Sequence, residues 1–211
     1  MRISSQDEIL RSPSKSPMDS QKALAHVLAS FQEGAELRST VAKDCGQRIA
    51  EVAKLMVDCL KSGGKLLFFG NGGSAADAQH LAAEFVGRFA MERQALAALA
   101  LTTDASILTA VGNDYGFDQI FSRQIQGLGQ PDDIAVGIST SGNSPNVIAG
   151  IQEASKLRLK TVALAGKDGG ALAKAADFPI VVRCANTARV QECHIAIGHI
   201  FCELVEMELT R

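Results

Sequence analysis

His80 and Glu84 are two side chains that could exchange protons with a substrate, and their spacing brings them together. On a helix, residues four apart share a face, with Cα atoms about 6 Å apart along the axis. A glycine loop, Gly70-Asn-Gly-Gly-Ser74, comes just before them and joins an apolar run at 66–69 to a run of helix formers. This strand–loop–helix order directs backbone N–H groups and a helix dipole at one anion, such as a phosphate. Although such a pair is often only a surface contact, its place after this loop indicates acid–base chemistry on a phosphorylated substrate.

A second loop, Ser139-Thr-Ser-Gly-Asn-Ser144, also closes a predicted strand and opens a predicted helix at Pro145. Pro145 suits the first helical position. A turn and a helix cap would use only one or two hydroxyl groups. The loop offers four, which favours a phosphate or polyol clamp; they belong to Ser139, Thr140, Ser141 and Ser144.

The predicted last helix adds Gln191, His194 and His199. Spacing alone does not choose between the two histidines, and Gln191 lies about 12 Å along the axis from His199. Asn113 and Asp114 are expected in a loop near a strand's carboxyl end, where hydroxyl binding and a plain turn are equally compatible with the sequence.

The first loop also fits the dinucleotide fingerprint G-x-G-x-x-G/A, from Gly70 to Ala75. That fingerprint expects an acidic residue about 20 residues later, at the end of the next strand. Here the first acid after the next strand is Asp104, about 30 residues past the loop. A dehydrogenase is therefore the weaker interpretation.

Composition limits the class of protein. The 211 residues suffice for one α/β domain, and a net charge of -2 with 5% aromatic residues and no Trp does not predict nucleic-acid binding. No apolar run approaches membrane-spanning length, and no signal peptide is recognisable. The odd number of cysteines, with no CxxC pair, predicts reduced thiols in a cytoplasmic protein; they are Cys45, Cys59, Cys184, Cys193 and Cys202.

Alternating strand and helix patterns from residue 65 onward predict a doubly wound parallel five-stranded sheet covered on both faces. Ligands bind such sheets at the carboxyl ends of the strands. Residues 1–20 are predicted to be a flexible tail and 21–211 a single domain. Helices at 20–33 and 36–62, separated at Gly34, carry apolar stripes, at least one of which we expect to contact another subunit. The predicted strands are 65–69, 96–102, 134–139, 161–166 and 179–183, and the later helices 74–90, 104–111, 117–127, 145–157, 169–176 and 188–209.

Five motifs together resemble the sugar isomerase, or SIS, domain family over residues 36–211. The motifs are Gly70-Asn-Gly-Gly-Ser-Ala-Ala-Asp-Ala-Gln-His80, Val111-Gly-Asn-Asp-Tyr-Gly116, Ile138-Ser-Thr-Ser-Gly-Asn-Ser144, Gly166-Lys-Asp-Gly-Gly170 and Val190-Gln-Glu-Cys-His194. The resemblance implies a three-layer, flavodoxin-like SIS fold. It also implies conversion of sedoheptulose 7-phosphate to D-glycero-D-manno-heptose 7-phosphate, the first step of bacterial nucleotide-heptose synthesis. Homotetramers with active sites at subunit interfaces, and one zinc ion per subunit, are implied as well.

Carried over by motif, the resemblance makes Glu84 and His199 the catalytic pair, and so selects His199 over His194. The implied zinc ligands are His80, Glu84, Gln191 and His199. The implied substrate contacts are Asn71, Gly72, Gly73, Ser74, Glu84, Asn113, Asp114, Ser139, Thr140, Ser141, Ser144 and Gln191. An Asp that some members carry three residues before the glutamine is replaced here by Ala188. The alternative is a non-catalytic SIS binding protein similar to the DnaA initiator-associating protein, which would have no need for Glu84 and His199.

Overall fold

The computed structural model describes residues 19–210. The predicted N-terminal tail therefore lies outside the described residues, except for its last two positions. Asp19 is the N-cap of the first helix, and its carboxylate accepts a hydrogen bond from the Gln21 backbone N–H at 2.9 Å. Residue 20 begins that helix, which is also where the sequence predicts the first helix to start.

One sheet organises the described chain, and all its strands are parallel. Its order is β2-β1-β3-β4-β5, so the chain reverses its direction of winding between β1 and β3. Every residue of β1 and β3 is buried, as expected for central strands covered on both faces. The predicted fold class is confirmed. The strands are β1 Leu66–Gly70, β2 Ala98–Ala100, β3 Ile134–Ser139, β4 Lys160–Gly166 and β5 Phe178–Val182.

The described residues form seven α-helices, which pack in two layers on the sheet. One core lies between the sheet and the layer of α1, α2 and α7, and the other lies under α4, α5 and α6. Alternate residues of each strand face opposite cores; Phe68 belongs to the first and Phe69 to the second. The helices are α1 Ser20–Lys61, α2 Gly73–Val86, α3 Ala105–Tyr115, α4 Ile120–Leu128, α5 Pro145–Lys156, α6 Gly170–Ala175 and α7 Thr187–Leu209; a 3-10 turn, Phe117–Gln119, precedes α4.

The prediction of two separate helices at 20–33 and 36–62 is wrong, because α1 is continuous. Gly34 does not end a helix. It is buried, and a Cβ at this position would lie 3.2 Å from a carboxylate oxygen of Glu192 on α7. The glycine therefore permits a close approach of two helices, at a propensity cost of about 1 kcal/mol.

The two apolar stripes of α1 have different surroundings. The C-terminal stripe, which includes Val52 and Met56, is buried in the first core. The N-terminal stripe is exposed within this chain, with Phe31 78% accessible; it consists of Leu24, Val27, Leu28 and Phe31. None of the helices described for residues 19–210 has the length and hydropathy needed to cross a bilayer.

Candidate active site

The first glycine loop makes the tight strand-to-helix turn that the sequence predicts. A Cβ on Gly70 would lie 2.7 Å from the Ser74 Cβ and 2.8 Å from the Ile138 carbonyl oxygen, so only glycine fits this crossing. Gly72 has φ +55° and is the N-cap of α2, where no described side chain caps the helix. The Ser74 and Ala75 N–H groups donate to the Asn71 and Gly72 carbonyl oxygens at 3.0 Å, so the attraction of this helix start for an anion comes chiefly from the positive end of the helix dipole.

In the second loop, hydroxyl groups bond to one another. Ser139 Oγ lies 2.9 Å from Ser144 Oγ and 3.2 Å from Ser141 Oγ, and Ser141 Oγ also accepts from the Asn143 N–H. Ser144 occupies the N-cap position of α5 but its side chain makes no capping hydrogen bond in the described structure. The Ser141 hydroxyl thus serves the turn and also joins those of Ser139 and Ser144 in a cluster at the start of α5.

A pair of side-chain amides joins the two loops. Asn71 Nδ2 donates to Asn146 Oδ1 at 2.8 Å, and Asn146 Nδ2 donates back to Asn71 Oδ1 at 2.9 Å. Asn146 is 1% exposed. The pair spans β1 and β3, where the winding of the sheet reverses, which is the usual ligand position in such folds. Asn146 was not recognised from the sequence.

The predicted acid–base residues come together where α2 and α7 pack side by side. A Cβ on Gly198 would lie 2.5 Å from Leu81 Cδ2, so the glycine allows the two helices to touch. At this contact His80 Nε2 lies 2.9 Å from His199 Nε2 and 3.5 Å from Glu84 Oε1. The structure thus brings the His80 imidazole and the Glu84 carboxylate of α2 together with the His199 imidazole of α7.

Gln191 and Asp77 meet further toward the start of the same two helices. Gln191 Nε2 donates to Asp77 Oδ1 at 2.5 Å, and the Gln191 Cγ lies beside Gly73, the first residue of α2. Burial raises the pKa of Asp77, although the hydrogen bond from Gln191 and the nearby imidazoles of His80 and His199 oppose this effect. Sequence reasoning missed Asp77; its i, i+3 spacing to His80 was the available signal.

His194 lies away from this group. It is fully buried, and neither ring nitrogen has a hydrogen-bond partner in the described part of the chain. Burial lowers the pKa of His194 to about 4, an effect that the Ala165 backbone only partly offsets. The geometry therefore agrees with the choice of His199, because only that histidine reaches His80.

The sequence predicted that Asn113 and Asp114 lie in a loop. The structure instead places them in the last turn of α3. Both are exposed, and Asn113 Nδ2 donates to Asp114 Oδ1 at 2.8 Å. Within residues 19–210 neither side chain bonds to the strand-end loops. The strand predicted at 96–102 and the helix predicted at 104–111 are both present, as β2 and α3. However, α3 continues four residues past its predicted end, because Gly112 does not stop the helix.

The residues around His80 meet several requirements of a cation site. In the described residues no group of three or more His, Cys, Asp or Glu side chains is arranged as a metal centre. The two Nε2 atoms at 2.9 Å can share a hydrogen bond between neutral rings in different tautomers, and the same two lone-pair positions could instead approach one cation. The buried Asp77 Oδ2 also has no hydrogen-bond partner in the described structure. Two imidazoles, the Glu84 carboxylate and the Gln191 amide are donors that zinc accepts.

Fold and site together are typical of α/β proteins that bind a phosphorylated small molecule at the carboxyl ends of the strands, here beside acid–base side chains. Comparison with known proteins agrees with this class. Residues 31–166 match the model of the SIS domain. A phosphoheptose isomerase from Aquifex aeolicus is 54% identical over 176 residues, which are 83% of this chain and 92% of the relative.

Two solved structures share both fold and sequence with this chain. The phosphoheptose isomerase from Neisseria gonorrhoeae has a TM-score of 0.83 and 46% identity, covering 88% of this chain and 99% of its own. The phosphoheptose isomerase from Francisella tularensis has a TM-score of 0.84 and 40% identity, and the match covers 88% of this chain and 98% of that chain. The chain belongs to the SIS domain family, in its phosphoheptose isomerase branch.

Proposed function

We propose that this chain is a phosphosugar isomerase that converts sedoheptulose 7-phosphate to D-glycero-D-manno-heptose 7-phosphate. The observation that carries the proposal is the position of Glu84 and His199 around His80, beside the two strand-end loops. The extensive identity with phosphoheptose isomerases supports the choice of substrate. In bacteria this reaction would begin nucleotide-heptose synthesis.

Aldose–ketose isomerisation through an enediol needs a base at carbon and a group that moves protons between oxygens. Glu84 removes the proton from C1 of the open-chain ketose and returns it at C2. His199 moves a proton between O1 and O2. The loops at 70–74 and 139–144 hold the 7-phosphate and the hydroxyl chain, so that the first two carbons lie near the α2–α7 contact.

Zinc fits this proposal as a cofactor, one ion per subunit. His80, Glu84, Gln191 and His199 would hold it, and Glu84 and His199 would alternate between ligand and proton-transfer roles, because a metal-bound group cannot act freely as a base. When bound, a zinc ion supplies Lewis-acid polarisation of the substrate oxygens. Because Gln191 donates through Nε2 to Asp77, its Oε1 is the atom left to face such an ion.

A homotetramer fits the surface of the chain. The exposed stripe on α1 is a large apolar surface for a single chain, and α3 has no buried residue at all. A neighbouring subunit that covered α3 would bring Asn113 and Asp114 to a substrate shared between chains. The proposed location is the cytoplasm, which suits five cysteines that are all unbridged in the described structure.

A non-catalytic binding module is not favoured. Such a protein has no need to place a carboxylate and an imidazole beside the anion loops, and the relatives with about half of their residues identical are named as isomerases.

The test is to incubate the full chain with sedoheptulose 7-phosphate, with and without a chelator, and to follow the aldose product. Turnover that the chelator abolishes and added zinc restores would support enzyme and cofactor together. Turnover that is unaffected by the chelator would remove zinc from the proposal. Absence of turnover under all conditions, zinc included, would contradict the proposed function.

A further inference from the structure

The loop between α2 and β2 is held by a buried ion pair that lies beside the candidate catalytic residues. Arg93 Nε donates to Glu206 Oε1 at 3.1 Å, and the two side chains are 5% and 2% exposed. This pair belongs neither to the strand-end loops nor to the group around His80. An ion pair this buried is a weak source of stability, because desolvating both charges offsets much of their attraction.

Arg93 caps the C-terminal end of α2. Its Nη2 donates to the Glu84 carbonyl oxygen at 2.7 Å, and its Nη1 donates to the Phe85 carbonyl oxygen at 2.9 Å. The last carbonyls of a helix have no partner within the helix, and a cation there also interacts favourably with the helix dipole. The guanidinium thus fixes the backbone of Glu84 itself.

Glu206, the partner of Arg93, holds the backbone of the loop that follows α2. Its carboxylate accepts from three consecutive backbone N–H groups, those of Phe89, Ala90 and Met91, at 3.1, 2.7 and 2.8 Å. Burial would raise the pKa of Glu206, but these hydrogen bonds and Arg93 together hold it below its usual value. The carboxylate therefore stays ionised inside the protein.

The hydrogen bond from the Phe89 backbone N–H to Glu206 holds the Phe89 ring against His199. The two ring centroids are 5.5 Å apart with a 36° interplanar angle. Glu206 lies seven residues after His199 on α7, which is about two turns and therefore the same face. The imidazole of His199 thus contacts both His80 and Phe89, and the backbone N–H of Phe89 is held by Glu206.

We infer that Arg93 and Glu206 are positioning residues, which fix the Glu84 backbone on α2 and the His199 ring on α7 relative to each other. The inference rests on the proposed function for its kinetic consequence. Neither residue touches the loops that bind the phosphate. Their loss is therefore expected to lower kcat and to leave KM nearly unchanged, because misplaced catalytic groups affect the transition state more than the bound ground state.

Glu206→Gln and Arg93→Lys test this inference, with Asp133→Asn as the matched control. Asp133 is an equally buried carboxylate, paired with Lys65 at 2.6 Å and bonded to the Lys65 and Gln130 N–H groups. It directly precedes β3, and these hydrogen bonds join it to neither α2 nor α7. We expect kcat to fall about tenfold or more in the first two variants. The control is expected to lose thermal stability comparably and to keep its kcat.

A Glu206→Gln protein that is folded and has wild-type kcat would overturn the inference. If that variant does not fold, Phe89→Leu removes the ring contact alone, and an unchanged kcat there would overturn it equally.

A second readout does not depend on activity. In imidazole NMR spectra, Glu206→Gln is expected to shift the His199 ring signals and to leave those of the distant, exposed His26 unchanged. If wild type is inactive but these shifts occur, the proposed function fails and the positioning inference survives. Unshifted His199 signals would contradict the inference even in an active enzyme.

Discussion

His80 Nε2 and His199 Nε2 lie 2.9 Å apart, although 119 residues separate them in the sequence. Their helices can approach this closely because Gly198 has no side chain to keep Leu81 away. The contact brings the Glu84 carboxylate within 3.5 Å of the same nitrogen. The proposed acid–base chemistry therefore depends on helix packing as much as on the identity of the proposed catalytic side chains.

The hydroxyl cluster of the second loop is expected to contribute to substrate binding. Ser144→Ala removes the nearer of the two hydroxyl partners of Ser139 Oγ. If Ser144 contacts the phosphate equally in ground and transition states, KM should rise about tenfold while kcat changes less than about twofold. Steady-state kinetics measure this, with the exposed Ser155→Ala on the same helix as control. A loss confined to kcat would contradict a binding role.

The amide pair between Asn71 and Asn146 should matter for both stability and binding. Asn146→Ala leaves the Asn71 amide without its partner, and we expect a loss of about 1–3 kcal/mol in the free energy of unfolding. KM should also rise, because the two loops are no longer held together. Urea unfolding and kinetics test this, with the exposed Gln152→Ala on α5 as control. Unchanged stability and KM would show that the pair is dispensable.

The exposed stripe of α1 is expected to be the main contact between subunits. Phe31→Glu places a charge at its most exposed member, and should convert the proposed tetramer to smaller species in sedimentation velocity. Ala29→Glu adds the same charge on the other side of the helix and should leave the assembly intact. Assembly that survives Phe31→Glu, or that Ala29→Glu disrupts equally, would contradict this role.

His194 should make the fold sensitive to acid. Its pKa is lowered to about 4 in the folded chain, against about 6.5 when unfolded, so protons favour the unfolded state as the pH falls through this window. The free energy of unfolding is therefore expected to fall by about 2 kcal/mol between neutral pH and about pH 5. In urea unfolding, the His194→Phe variant is expected to lack this fall in the free energy of unfolding. The control variant, His26→Gln, is expected to show it. Identical pH profiles for wild type and His194→Phe would contradict the prediction.

Much of the fold follows from local patterns in the sequence. The apolar runs that end at Gly70 and Ser139 predict two buried strands, and both strands are confirmed. Gly34 shows where such patterns fail, since a glycine that ends a helix and one that admits a neighbouring helix look the same in sequence. The same ambiguity shortened the predicted α3 at Gly112 and left Asn113 and Asp114 in a loop.

The site was only partly predictable, for a different reason. His80 and Glu84 share a helix, so their spacing reveals them. Asp77, Asn146 and the Arg93–Glu206 pair gain their roles from partners 75 to 114 residues away, and only the packed structure brings those partners together. Spacing also could not separate His194 from His199, because burial and not periodicity distinguishes them.

Hydrogen exchange at the substrate tests the central claim most directly. In D₂O, the wild-type chain should incorporate deuterium at C2 of the aldose product, because the enediol route delivers a proton from the enzyme to that carbon. Glu84→Gln should remain folded and assembled but incorporate no deuterium. Incorporation by Glu84→Gln at the wild-type rate would contradict the claim that Glu84 is the base.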